Sequence, residues 1–387
     1  MKNAGLLNLP AWKEYLQKIL VKMGRKDLLK LPLLGKENSD SFWSAFDEEE
    51  FYRLVQTGIV FENAPVKNFP DTIITSDSFV AVNRLKSGLE ADTYFSAAIG
   101  GTFPFFRLLA DNTISKPVKF LVQNDAFTGF VLYTMEKNGK SLEEAICDAR
   151  WKELSNDNIN YNLHGLVSYN RLVLQIAEAF GCFIAPDAIS YSGINNLSQT
   201  DIEIAKELEM SIRLLGIAEY DGKHIKAISE PCMIPERYWL AEARGGSEMI
   251  YVKTSDGNSQ IYSCPGSNAE IVVRGIVSDL ESSNTKKTPL NRDFTVSEFE
   301  SSFYLRFDVM NLTDTLSDLL RCFASNGIQI QKIYHPKKTT NKEYNNIPLV
   351  ILTDNTSESH IKQLADNVAK DVKLAGLKAR YRIIDRG

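Results

Sequence analysis

"SFYLRFDVMNLTDTLSDLLRCFASNGIQIQKIYHP" (302–336) changes its apolar period twice. "SFYLRFDVM" reads as a strand, "DTLSDLLRCFASNG" as a helix ended by Gly327, and "IQIQKIYHP" as a second strand. Beyond it come a polar loop ("KKTTNKEYNN"), a strand ("IPLVILTD"), a helix ("SESHIKQLADNVAKDVKLAG") and a last strand ("KARYRIID"). Residues 302–387 therefore predict the order βαββαβ, an α+β sandwich.

Upstream, residues 283–301 are rich in Ser, Thr, Asn and Lys and predict a linker. Residues 91–282 alternate helices with β runs. "SLEEAICDARWKEL" is a helix with Ser141 as N-cap and Glu144 at the capping-box spacing. "SIRLLGIAEY", "HIKAISEPCMI" and "SEMIYVKTSDGNSQIYSCPG" predict strands of one sheet, the last folded back at "DGN". "NDNINYNLHGLVSYNRLVLQIAEAFG" (156–181) reads as a polar loop up to Arg171 and then as a helix, with Gly181 as its C-cap. Residues 1–90 mix strand candidates ("AGLLNL", "DTIITSD") with an amphipathic helix ("WKEYLQKILVKMG").

The composition narrows the function. A chain of 387 residues has room for two or three domains, and 44% hydrophobic with 24% charged residues is ordinary soluble composition. A net charge of −5 and the lack of a basic stripe argue against nucleic acid as a partner. Five scattered cysteines and four distant histidines predict reduced thiols and no metal site. No apolar run spans a membrane, and the N-terminus lacks a signal-peptide core, so a cytoplasmic location and no membrane partner are expected.

The C-terminal pattern is of ferredoxin-like type and, following such a body, resembles an ACT domain, a module that often binds amino acids. The body resembles the homoserine dehydrogenase family. "IITSDSF" (73–79) sits where that family has Val-Val-Thr-Ala-Asn-Lys-Ala, and "FSAAIGGTFPFF" (95–106) parallels Glu-Ala-Ser-Val-Gly-Gly-Gly-Ile-Pro. "NDAFTGFVLYTMEKNGKSLEEAICDA" (124–149), "TDIEIAKELEMSIRLLGIAE" (200–219) and "CPGSNAEIVVRGIVSDL" (264–280) parallel three further segments in the same order. The resemblance implies three parts: a degenerate, shortened Rossmann-like region at 1–90, a mixed α/β substrate and dimerisation domain at 91–282, and the ACT-like domain at 302–387.

It also implies site positions. In "GLLNLPAWKEYLQKIL" (5–20) the phosphate-binding glycines of the family fingerprint become Asn8, Pro10 and Lys13. Glycine lets the backbone approach a pyrophosphate closely, and proline removes an N–H from the anion-binding helix start, so NADP binding in the family manner is not expected. The family's lysines fall at Ser78 and Arg171, its aspartate at Val167 and its glutamate at Asn156. Arginine keeps its proton near neutral pH, with a pKa above about 12, and valine and asparagine do not titrate. A one-residue shift would instead put Asp157 at the glutamate position. The family pocket maps to Gly100, Gly101, Asp125, Thr128, Asp157, Gly165, Arg171 and Gly266. In the ACT-like part the usual Asp-x-Pro-Gly ligand turn is "NLTD", with Asp314 at the glycine position.

The scaffold residues are kept and the titrating ones are lost. This pattern points to a non-catalytic, pseudoenzyme-like relative with a regulatory or scaffolding role, needing no cofactor. Two alternatives stay open: a divergent NADP-dependent homoserine dehydrogenase or related oxidoreductase, and an amino-acid sensor using the ACT-like domain. The resemblance further implies a homodimer, or a dimer of dimers, built on the central sheet. Ile212, Leu214, Ile217, Ile225, Ala227, Ile228, Met249 and Tyr251 give that sheet its apolar faces, with Tyr304, Phe307 and Val309 on the ACT-like sheet.

Overall fold

The computed structural model describes residues 60–62, 73–75, 78–89, 93–99, 115–152, 154, 159–243, 245–264, 266, 275, 289–309, 312–336, 347–371 and 375–384. The strand and helix expected before residue 59 lie outside them. In chain order the first elements are β1 (Val60–Glu62), β2 (Ile73–Thr75), α1 (Ser78–Lys86), β3 (Thr93–Tyr94), β4 (Pro117–Gln123), α2 (Ala126–Asn138), α3 (Leu142–Trp151), α4 (Ile159–Leu163) and α5 (Leu166–Phe180). Next come β5 (Ser190–Tyr191), α6 (Gln199–Glu207), β6 (Met210–Tyr220), β7 (His224–Pro235), β8 (Glu248–Thr254), β9 (Ser259–Cys264) and β10 (Thr295–Val296). The last are β11 (Glu300–Val309), α7 (Leu312–Ser325), β12 (Ile330–Tyr334), β13 (Ile347–Thr353), β14 (Thr356–Ser357), α8 (Glu358–Asp371) and β15 (Ala375–Ile383).

β1–β3 form a small sheet, and the other strands join one twelve-stranded mixed sheet with the main path β12-β13-β11-β15-β7-β6-β4-β8-β9. Its first four strands are antiparallel and, with α7 and α8, have ferredoxin-like βαββαβ topology. β15 then runs parallel to β7, pairing Arg382 with Cys232 and Ile383 with Met233, so this unit and the central strands share one sheet.

Alternation along β11 decides which side each residue serves. Phe303, Leu305, Phe307 and Val309 enter the core beneath α7 and α8, with Leu319, Phe323, Ile361 and Leu364. Tyr304 faces the other way, joining Phe127, Ile202, Val350 and Tyr381 in a core shared with α2 and α6. Tyr304, Phe307 and Val309 are each 0% exposed, so these three side chains pack inside the chain.

The central strands are covered similarly. Phe120, Val122, Ala218 and Ile250 pack under α5 with Leu172, Val173 and Ile176. Leu121, Leu215, Ile217 and Ile228 point to the opposite side and pack with Leu240 and Ala241 of the segment after β7. Trp239 of that segment stacks on Tyr251, with ring centroids 5.8 Å apart.

Two expectations need correcting. The stretch expected as a linker is not a free connection: Thr295 N and Ser297 N donate to Lys223 O and Ile225 O, and β10 pairs with β7. Its Ser/Thr content suits an edge strand, because the backbone supplies the pairing whatever the side chains. The polar run before Arg171 is not a loop either. It holds α4 and the first turn of α5, joined through Gly165 at φ 78°. Asn162 is held in α4 because its amide finds the buried Asp125 carboxylate, which overrides its weak helix propensity.

Candidate active site

At the end of β4 the chain turns through Asn124 and Asp125 into α2. Asp125 is the N-cap: its carboxylate accepts from Phe127 N at 3.2 Å, and Asn162 Nδ2 of α4 donates to both its oxygens at 3.0 and 3.1 Å. Ser168, Arg171 and Gln175 lie three and four residues apart, on the face of α5 turned to this corner. Asn124 Nδ2 donates to Ser168 O (3.1 Å) and Gln175 Oε1 (3.0 Å), while Ser168 Oγ donates to Asn124 Oδ1 (2.7 Å). Ser229 Oγ of β7 donates to Ser168 Oγ at 3.1 Å. All four of these residues are buried, and each gains partners that water would otherwise supply.

Arg171 closes the corner. Its Nη1 donates to Asn124 O and, at 3.0 Å, to Glu248 Oε1 at the start of β8. Glu248 is buried, and Arg171 Nε is buried without a partner. The guanidinium is thus spent on a buried carboxylate and on the backbone at the start of α2. Four residues earlier, Val167 is half-buried and brings no titratable group. Beside them burial first, then the charges of Tyr191 and Asp187, push the Tyr169 phenol up to about 12. This corner orients groups well; its acids and bases are committed to one another.

The other expected positions divide. Ser78 is buried at the start of α1, next to Phe79, whose ring lies 5.0 Å from Tyr161 of α4. Thr128 is 0% exposed and donates its hydroxyl to Asp125 O within its own helix. Gly266 sits against the start of α2, where a Cβ would meet Gly246 O at 2.2 Å and Ala126 Cβ at 2.7 Å. Gly165 contacts the backbone at Ser192. Asn8, Pro10, Lys13, Gly100, Gly101, Asn156 and Asp157 lie outside the described residues. Among the described residues no group of His, Cys, Asp and Glu could hold a metal ion. A groove of about 340 Å³ between α2 and α3, lined by Phe130, Tyr133, Thr134 and Trp151, includes none of the corner residues.

Sequence reading missed Asn124, Asn162, Ser168, Gln175, Ser229 and Glu248. A signal existed for two of them. Ser168 and Gln175 share the buried side of a helix whose other inward residues, Leu172 and Ile176, are apolar, and polar groups there need partners. Glu248, opening an apolar strand, was visible only as a charge without a context.

A mixed sheet with helices packed over it and a polar corner at a strand end is the architecture of an α/β protein. The homoserine dehydrogenase family model matches residues 123–280. Homoserine dehydrogenase of Bacillus subtilis (strain 168) is 22% identical over 309 residues, 76% of this chain and 71% of that protein. The Helicobacter pylori (strain ATCC 700392 / 26695) enzyme is 24% identical over 317 residues, 77% of this chain and 75% of its own. Among solved structures, a homoserine dehydrogenase from Thiobacillus denitrificans superposes with a TM-score of 0.71 at 20% identity, covering 82% of this chain and 77% of its own; that likeness is one of fold. The similarity to the homoserine dehydrogenase family thus runs through residues 123–280 and, at 22–24% identity, over about three quarters of the chain.

Proposed function

We propose that this chain keeps the homoserine dehydrogenase scaffold without its acid–base chemistry, and serves amino-acid metabolism as a regulatory or scaffolding relative. One observation carries the reading: Arg171, at the family's lysine position, is locked to Glu248 and Asn124 O, with Val167 one turn before it. Guanidinium groups in general serve poorly as proton donors, whereas a lysine ammonium serves well. The test is aldehyde reduction with NADPH and aspartate semialdehyde, and the reverse reaction with homoserine. The expected rate equals the no-protein control. Turnover well above it would establish the divergent-enzyme reading instead.

The family works with NAD(P). In this chain Asn8, Pro10 and Lys13 replace the fingerprint glycines, and we infer that NADP(H) does not bind in the family manner. A thermal-shift titration should show no stabilisation at micromolar cofactor. The strand order β12-β13-β11-β15 supports an ACT-like reading of the C-terminal unit and hence an amino-acid ligand. Calorimetry with threonine, homoserine, lysine and methionine tests it, and silence toward all four would remove it. The five scattered cysteines, odd in number and without a close pair in the sequence, favour a reducing, cytoplasmic location. No described helix is long and apolar enough to cross a membrane.

A further inference from the structure

Residues 192–198 are packed tightly at both ends. At one end their backbone lies directly against the α4–α5 turn. A Cβ on Gly193 would stand 1.9 Å from Leu163 O, and one on Gly165 would stand 2.6 Å from Ser192 O. Ile194 N and Asn195 N both donate to Leu163 O, at 2.8 and 3.2 Å. At the other end Ser198 caps α6 and donates its hydroxyl to Asp201 Oδ2 at 2.6 Å. Asp201 is 0% exposed. Its Oδ1 accepts from Arg306 Nε (2.8 Å) and Tyr304 Oη (3.1 Å), and its Oδ2 accepts from Arg306 Nη2 (3.2 Å) and Tyr381 Oη (3.3 Å). Arg306, Tyr304 and Tyr381 all belong to the βαββαβ unit. Burial, then the charge of Asp201, hold both phenols well above their usual range, so both remain donors at neutral pH.

We propose that Arg306 is a positioning residue: through Asp201 and residues 192–198, the C-terminal unit fixes the α4–α5 turn, and with it the placing of Asn162 on Asp125 and of Arg171. The path is continuous in hydrogen bonds and backbone contacts, from β11 to the corner at the start of α2. Its central link is the costly one. Without Arg306, a buried carboxylate keeps only neutral side-chain donors, and the start of α6 must move toward water to relieve it. Residues 192–195 have no slack, because glycine already brings backbone against backbone, so the turn moves with them. The inference concerns the geometry of the turn and holds whether or not the corner turns over a substrate.

A second polar junction supplies the control. Arg380 and Arg382 of β15 meet Glu230 of β7 and Glu358 of α8, and their described hydrogen bonds reach none of residues 192–198. The experiment is hydrogen–deuterium exchange of the full chain, read on peptides covering 159–167, for Arg306→Met, Arg306→Lys and Arg382→Met. Arg306→Met should speed exchange there by about tenfold or more, Arg306→Lys should recover at least half the protection, and Arg382→Met should act mainly on β15 and β7. Should Arg306→Met fail to fold, Tyr381→Phe and Tyr304→Phe each remove one donor to Asp201 and should speed exchange about threefold at the same peptides. Unchanged exchange in 159–167, or an equal rise for Arg306→Met and Arg382→Met across all peptides, would overturn the proposal.

Discussion

Arg171 ties the corner together, since its guanidinium is held by the Glu248 carboxylate and by Asn124 O. Its partner Glu248 is 2% exposed, so Arg171→Met would take the guanidinium away from a buried carboxylate and should cost up to about 3–5 kcal/mol in urea unfolding. Arg171→Lys should cost less, since an ammonium can still pair with Glu248, though from a shorter side chain than the one whose Nη1 reaches both Glu248 and Asn124 O. Equal losses for the two variants would show that the pairing is not what holds the corner. Gly193 is the sharper case, because nothing larger fits where a Cβ would stand 1.9 Å from Leu163 O. Gly193→Ala should destabilise the chain by at least about 3 kcal/mol, measured by denaturant midpoint, and a neutral result would mean that the 192–195 backbone moves freely. At this scale the sequence revealed residue identities more readily than their partners. Valine and arginine at 167 and 171 are visible as letters, but the commitment of Arg171 depends on Glu248, 77 residues away. Long-range pairing of that kind leaves no periodic trace.

Elements were legible where a period or a cap marks them. Ser141 and Glu144 form the capping box that their spacing predicts, and Gly181 ends α5 at φ 64°. α4 was not legible, because five residues with two asparagines carry no helical signal until Asn162 finds Asp125. How an element is fixed to its neighbours can be tested on α2. Glu136, near its C-terminal end, meets Arg213 of β6 at 2.6 Å and Lys137 at 2.7 Å. Burial alone would raise the Glu136 pKa, but the charge of Arg213 and the hydrogen bonds of both cations outweigh it and hold the carboxyl below its ordinary 4.5. A depressed carboxylate pKa stabilises the fold fully above the unfolded value, and that contribution is lost as pH falls through the folded one. Stability of the wild-type chain should therefore fall below about pH 4.5 more steeply than that of Glu136→Gln, which is weaker at neutral pH but lacks this titration. Parallel acid profiles for the two chains would show that Glu136 contributes nothing to the slope.

Across the whole molecule, the shared sheet makes two units behave as one. Arg382 is 2% exposed at the junction, donating to Glu230 at 2.7 Å and Glu358 at 3.0 Å, with its guanidinium 4.6 Å from the centre of the Phe303 ring. Arg382→Met should lower stability by about 3–5 kcal/mol, and the native chain should melt in a single transition. Two well-separated transitions in calorimetry would show that the βαββαβ unit folds apart from the central strands. The same architecture decides where a second copy can join. Much of the apolar face that suggested a dimer packs inside one chain, since Leu121 and Leu215 are 0% exposed under the segment after β7 and Tyr304 is 0% exposed beneath α6, while Met249 and Tyr251 stay partly exposed. Among the described residues, one candidate seam is β9, at one end of the sheet. β9 hydrogen-bonds to β8 on one side, carries no charged residue, and leaves Ile261 50% exposed. A strand of this kind, without a lysine or a proline to guard it, is a template for pairing. We expect two chains to associate through this edge, so light scattering at micromolar concentration should give at least twice the 43.5 kDa chain mass. Ile261→Lys places a charge at the seam and should return the protein to monomer with its fold intact by circular dichroism. A monomeric mass for the unaltered chain would remove the dimer altogether, and a dimer indifferent to Ile261→Lys would move its interface away from β9.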